Sequence, residues 1–405
     1  MEVGAKRLIV IYNRRVKHKH LTSRLSGFTI VELLIVILVI GILAAITLVA
    51  YNGFSTRSRI ASMQIDLSAA VRTLELAKIN SSSSQYPVDS ASANLKASNG
   101  ATLNYKVDNT VSPSTYCVTI INSGLAYKVS NANTAPTSGA CSGVMLDGTS
   151  CPTNFIVVSG SSSFGTSDFC MMKYEARQIA GAAVSQASGT PWVSITQTNA
   201  INAASSVCTG CHLVTEAEWM TVAANVLSVA SNWSGGAVGN GYIYSGHNNS
   251  LPNYALSATT DDTDGYNGTG SSTGNQRRTL TLTNGEVIWD LAGNVWEWTN
   301  AVIGSNLQPG LVGEGSYSFK DWNNGALNMN GLPSLSRPAA ISTQVAAWSS
   351  SQGIGQLFSY YSEANPKAYL RSGSWSDGNG VGVLALDLFD TTGMINSAIG
   401  FRVDR

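Results

Sequence analysis

The chain has 405 residues, 24 basic and 24 acidic, so it carries no formal net charge. Charged side chains make up only 12%, and Ser, Thr, Asn and Gly abound, which fits an exported, loop-rich β protein better than a cytosolic enzyme. The length accommodates two folded units beyond a membrane helix. Lys6, Arg7, Arg14, Arg15, Lys17, Lys19 and Arg24 stand against Glu2 in the first 27 residues, and such a basic leader stays cytoplasmic. From Phe28 to Ala50 the only ionisable residue is Glu32, among Ile, Leu, Val and Ala. A helix of that length and composition spans a bilayer core of roughly 30 Å.

At the junction, Ser26-Gly27-Phe28-Thr29-Ile30-Val31-Glu32-Leu33-Leu34-Ile35-Val36 resembles the type IV prepilin processing site at every motif position. The resemblance implies cleavage after Gly27 by a prepilin peptidase and assembly with other pilin subunits. It also implies that Glu32 pairs with the Phe28 amine of a neighbouring subunit, since a carboxylate in lipid needs a partner. Removing the seven basic residues and one acidic residue of the leader from 24 of each leaves 17 basic and 23 acidic, a formal balance of −6. Nucleic acid is therefore not expected as a partner. The expected location is the membrane before assembly, through the N-terminal helix, and then the cell surface or a pilus.

Past Tyr51 the pattern becomes amphipathic, with Ile60, Met63, Leu67, Val71, Leu74 and Ile79 at three- and four-residue steps. It stops at Ser81-Ser82-Ser83-Ser84, before Tyr86-Pro87. β-prone runs at Tyr116–Ile121 and Ala126–Val129, separated by an Asn-Ser-Gly turn, predict a small antiparallel sheet packed on the helix. All six cysteines lie outside the leader, and an even number in an exported chain suggests disulfides. Cys117 and Cys141 flank the sheet and are expected to pair; the pairing of Cys151, Cys170, Cys208 and Cys211 stays open.

A second domain begins near Val144. Thr215 and Glu218 have capping-box spacing, which starts a helix there. Four ordered segments resemble the formylglycine-generating enzyme family, whose fold is a variant of the C-type lectin fold. They are Phe169–Ala176, His212–Trp219, Trp289–Thr299, and Arg371–Trp375 with Gly400–Val403. The expected fold class is α+β, with a leader at 1–27, a pilin helix at 28–84, a β head at 85–145 and the lectin-like domain at 146–405.

Departures from the family's pattern argue against catalysis. Asp377 and Gly382 occupy the positions of the oxidase cysteines, and neither can supply a thiolate. Sulfoxide synthases of the same superfamily need a histidine cluster, whereas only His212 and His247 follow the leader. The resemblance also implies structural calcium. Asp290, Gly293, Val295 and Glu297 match one site, and Asp264 and Tyr266 with Asn253 and Tyr254 match a second.

Residues 371–405 also resemble the variable region of diversity-generating retroelement target proteins. Leu384, Leu386 and Leu388 alternate with Val383, Ala385, Asp387 and Phe389, so one face is expected to pack inward and the other to stay free. Ser374, Trp375, Ser376, Asp377, Asp387, Phe389, Asp390, Ser397 and Ala398 are the expected ligand-facing residues. The expected function is a surface-displayed binding protein recognising a cell-surface, phage or polymer ligand. The alternative is an exported enzyme of the formylglycine-generating or sulfoxide synthase superfamily. A redox protein is a further form of it, because Cys208-Thr209-Gly210-Cys211-His212 satisfies the c-type haem pattern.

Overall fold

The computed structural model describes residues 30–269 and 274–405. Gly27 and Phe28 lie outside the described residues, as does the side chain of Glu32. The chain divides into two compact units, Met1–Ser58 and Arg59–Arg405. Helix α1 is assigned to Ile30–Asn80. In the first unit Ile30, Leu34, Ile37, Leu38 and Ile40 are all more than half exposed. Among the described residues no helix is long and apolar enough to cross a membrane, so the membrane-spanning expectation finds no support there.

In the second unit α1 buries Met63, Leu67, Ala70 and Leu74, with Ile60 and Val71 packed beside them. Ile79 departs from the expected stripe and is exposed. Tyr86 closes this core instead, stacking edge-on against Tyr116 at 4.7 Å and donating its hydroxyl to Glu75. The opposing layer is a four-stranded antiparallel sheet in the order β1 (Thr102–Asp108), β2 (Thr115–Asn122), β3 (Leu125–Ser130) and β4 (Thr137–Ser138). Ser123 and Gly124 join β2 to β3, both with positive φ, which matches the twist of a two-residue hairpin. Cys117 on β2 is bonded to Cys141, which seals the open end of this small layer.

The remainder is built from short strands and loops. In chain order come β5 (Phe155–Val158), β6 (Phe169–Met172), β7 (Ala176–Ile179), β8 (Ala182–Ser185), α2 (Gln197–Ser205), β9 (His212–Leu213) and α3 (Glu216–Leu227). After them come β10 (Thr279–Thr281), β11 (Val287–Trp289), β12 (Trp296–Ile303), β13 (Ser318–Lys320), β14 (Leu357–Ser359), β15 (Lys367–Ser372), β16 (Gly382–Asp387), β17 (Ile399–Phe401) and β18 (Val403–Asp404). Thr215 and Glu218 form the expected capping box at the start of α3.

The main sheet has the order β13-β14-β16-β15-β12-β17, so β16 is central. The indole of Trp219 on α3 donates to Val383 O at 2.8 Å and that of Trp322 to Leu384 O at 3.2 Å. Ala385 packs with Trp298, Leu370 and Phe401 in a second core. Both faces of β16 are therefore covered: Val383 and Ala385 are as fully buried as Leu384, Leu386 and Leu388. The expected free face does not exist along this strand, because alternation leaves one face open only where nothing is stacked on it.

Candidate functional site

The Asp290–Glu297 loop is held by close backbone approach. Gly293 has φ +91°, and a Cβ there would meet His247 O at 2.8 Å, so only glycine lets the two loops touch. Asn294 fixes the same contact by donating its N–H to His247 O at 2.8 Å. The carboxylates of this loop face guanidinium groups. Asp290 accepts from Arg278 Nε at 2.8 Å and from Nη2 at 2.6 Å. Glu297 accepts from Arg402 Nη2 at 2.8 Å and Nε at 3.2 Å. All four side chains are at most 1% exposed. Burial pushes the Glu297 carboxyl up, and Arg402 opposes that shift.

This donor set does not fit calcium. Both oxygens of Asp290 and of Glu297 are bound to arginine, which leaves no carboxylate free to approach a divalent ion. In the second expected set one carbonyl is already engaged. Tyr266 O already accepts from Thr269 through both its N–H at 2.9 Å and its hydroxyl at 2.7 Å. Asp264, Asn253 and Tyr254 are exposed at the surface. Among the described residues no group of three or more His, Cys, Asp or Glu is placed to hold a metal.

The positions matched to oxidase cysteines are closed as well. Asp377 is tied into its own turn, accepting from Ser374 N at 2.8 Å and Ser374 Oγ at 2.5 Å. Gly382 packs directly on the backbone of Ile354 and Gly355, so a side chain there would collide with main chain. All six cysteines are in disulfides: Cys117–Cys141, Cys151–Cys170 and Cys208–Cys211. Cys208 and Cys211 are bonded to each other and so are not available for haem thioethers. His212 is held by Glu218 at 2.9 Å, which raises its pKa and keeps the imidazole occupied.

The expected ligand-facing residues separate into three groups. Ser374, Asp387 and Asp390 are buried, at 2%, 9% and 6% exposure, which corrects their assignment to the surface. Asp387 accepts from Phe389 N at 2.6 Å, and burial pushes its carboxyl up to about 8. Ser397 and Ala398 lie at the opposite edge of the sheet, where Trp296 N donates to Ala398 O just before β17. Trp375, Ser376, Asp377 and Phe389 remain accessible in whole or part. The turn carrying the first three docks through Trp375 N to Asn294 O and Gly378 N to Asn248 O.

Phe389 belongs to an aromatic cluster at the β13 edge. Its ring meets Tyr317 edge-on at 4.9 Å and lies 6.2 Å from Phe358. Phe358 in turn is 4.6 Å from Phe319, its register partner on β13. Phe319 and Phe389 are 39% and 45% exposed, so neighbouring rings of one cluster reach solvent. Lys367 borders the cluster, its ammonium 5.4 Å from the Phe389 ring and 5.7 Å from that of Tyr317. A Cβ on Gly380 would meet the Phe319 ring at 2.7 Å, so the 374–380 turn abuts the same cluster. Tyr317, Phe319 and Phe358 were not among the residues singled out from the sequence. Their signal was the alternation Tyr317-Ser318-Phe319 and Phe358-Ser359-Tyr360.

Residues 141–405 match the family of the sulfatase-modifying factor enzyme 1-like domain, about two thirds of the chain. The chain belongs to that family. Among solved structures it is similar to the Major Tropism Determinant U1 variant, at 13% identity and a TM-score of 0.29, and to the I1 variant, at 12% and 0.27. Each likeness covers 76% of this chain and 73% of the other. The arginine-paired Asp290 and Glu297 and the closed Gly382 are thus features of this sulfatase-modifying-factor-like domain.

Proposed function

We propose that the chain is a surface-displayed binding protein, in which a type IV pilin-like stem presents a non-catalytic lectin-fold domain. The observation that carries the reading is the aromatic cluster in which exposed Phe319 and Phe389 pack on half-buried Phe358, flanked by the Trp375–Asp377 turn. Large rings held by neighbours lose little conformational entropy on binding, which is why such clusters act as recognition anchors. Oxidase-type thiol chemistry finds no support among the described residues, where every cysteine is in a disulfide and Gly382 has no room for a side chain.

The stem assignment rests on the Gly27-Phe28-x-x-x-Glu32 motif and on the exposed apolar residues from Ile30 to Ile42. In this reading prepilin peptidase releases the leader, other pilin subunits pack on the stem, and the domain meets a cell-surface, phage or polymer ligand outside the cell. The Trp375–Asp377 turn and Phe389 are the positions at which a diversifying sequence would alter the ligand. Binding of fluorescently labelled protein to whole cells, with Phe319→Ser/Phe389→Ser as the comparison, tests the reading.

A further inference from the structure

Of the three disulfides, one is built unlike the others. Cys117–Cys141 and Cys151–Cys170 link residues 24 and 19 positions apart, whereas Cys208 and Cys211 stand only three apart. Each bond joins a half-buried cysteine to a buried one, so access alone does not separate them. Spacing does. A cross-link restrains the unfolded chain more the longer the loop it closes, so the shortest loop contributes least to stability.

The segments on either side hold their places without it. Upstream, α2 buries Ala200 and Ala204, and Gln197 Nε2 donates to the carbonyls of Thr299 at 2.6 Å and Ala301 at 2.9 Å. Downstream, β9 pairs with β18 through Leu213 and Val403 and through His212 and Asp404. The turn is also closed by Cys211 N, which donates to Cys208 O at 3.0 Å, and its tip, Thr209 and Gly210, is exposed.

His212 places a positive charge on this turn. Its Nδ1 faces Gly210 O at 3.1 Å and its Nε2 faces Glu218 Oε1 at 2.9 Å, and both oxygens are acceptors, so both ring nitrogens carry protons. Glu218 is ionised to match, its other oxygen accepting from Thr215 N at 2.9 Å and Thr215 Oγ1 at 2.7 Å. Asp404, the register partner of His212, is buried and its carboxyl is pushed well up by burial, so it adds little negative charge. An imidazolium beside a C-x-x-C turn favours thiolate over thiol and so eases the opening of the disulfide.

We propose that Cys208–Cys211 is an exchangeable disulfide, at which a protein dithiol of the C-x-x-C class reduces and reoxidises this domain. In the forward step a thiolate of the partner attacks Cys208 Sγ, on the less buried cysteine. As the new sulfur–sulfur bond forms, the Cys208–Cys211 bond breaks and its electron pair leaves on Cys211 Sγ. The partner's second thiol, as thiolate, then attacks the partner's own sulfur in the mixed disulfide and releases Cys208. Two electrons and two protons pass from the partner's dithiol to Cys208 and Cys211, and the partner is left as a disulfide. The site lies outside the aromatic cluster and does not depend on the recognition reading.

The test is graded reduction of the purified full chain by dithiothreitol, followed by alkylation, digestion and mass spectrometry that reads each disulfide separately. Cys208–Cys211 is expected to open at a dithiothreitol concentration at least about tenfold below the other two, and His212→Gln, which keeps a donor without the charge, to raise that concentration at least about threefold. Opening of all three together, opening of Cys208–Cys211 last, or a midpoint unmoved by His212→Gln overturns the proposal. Thioredoxin lacking its resolving cysteine is the protein probe. A mixed disulfide on Cys208 is expected, and no adduct, or one formed preferentially on another cysteine, overturns the proposal. Cys208→Ser/Cys211→Ser is expected to fold and to melt within about 5 °C of wild type. Failure of that variant to fold would make the bond a structural staple and also overturns the proposal.

Discussion

Asp387 stands directly opposite Phe358 in the parallel pairing of β14 and β16. The same cross-strand row continues inward through Leu370 on β15 and Trp298 on β12 to Phe401 on β17. Asp387 thus marks the point where one face of the sheet passes from a closed core to the accessible aromatic edge. Its carboxyl is pushed up to about 8, mainly by burial, with Asp390 and Asp377 adding to the shift.

That position gives a pH dependence with a definite sign. A carboxyl whose pKa is higher in the folded state than in the unfolded chain stabilises the fold below its unfolded value near 3.8. The contribution is lost as pH rises toward about 8, because the folded state holds a proton that the unfolded chain has released. Asp387→Asn keeps an oxygen for Phe389 N and removes the titration. The variant is expected to melt about 2 °C or more above wild type at pH 8.5 and to lose less stability between pH 5 and 8. Glu175, also pushed up to about 8 by burial, leaves a residual slope in both proteins. Parallel melting curves across that range would count against the assignment.

Packing on β16 separates stability from recognition. Leu386 is fully buried and Phe389 is 45% exposed. Leu386→Ala is expected to cost about 2–5 kcal/mol through the cavity it leaves, and Leu386→Asp to prevent folding. Phe389→Ser is expected to cost under about 1 kcal/mol, as for other accessible positions. Denaturant titration of the three variants checks the order.

Restoring cysteines should not restore an enzyme. Gly382→Cys places a side chain against the backbone of Ile354 and Gly355, so the variant is expected to lose at least about 2 kcal/mol. Asp377→Cys/Gly382→Cys is expected to show no copper-dependent oxidation of a cysteine-containing peptide, measured by mass spectrometry. Turnover by that pair would show that the fold had kept a functional site.

At the other end of the chain, the native protein is expected to begin at Phe28. Gly27→Ala is expected to retain the leader. Glu32→Ala is expected to reach the membrane and fail to enter filaments, since its apolar helix is intact and only the pairing carboxylate is gone. Intact-mass spectrometry and filament shearing read the two outcomes.

What the sequence disclosed was local. The Thr215–Glu218 capping box, the stripe from Met63 to Leu74 and the Cys117–Cys141 pair all depend on neighbours in the chain or on a small layer that needs a staple. What it concealed was long-range. Arg402 reaches Glu297 across 105 residues, so the carboxylates read as metal ligands until both partners were placed together. Alternation along β16 suggested a free face, because no local pattern reveals that α3 and Trp322 cover one side and the core that includes Met172, Ala200 and Leu213 the other. Phe319 and Phe358 pair across two strands 39 residues apart, a relation that neither segment shows alone.

The most direct test of the account is saturation binding of the labelled protein to a panel of whole bacterial cells, comparing wild type with Phe319→Ser/Phe389→Ser. The account predicts saturable binding by wild type and an affinity at least about tenfold weaker for the variant, as for loss of two aromatic anchors, at a melting temperature within about 2 °C of wild type. Equal binding by the two proteins, or no saturable binding by wild type, would contradict it.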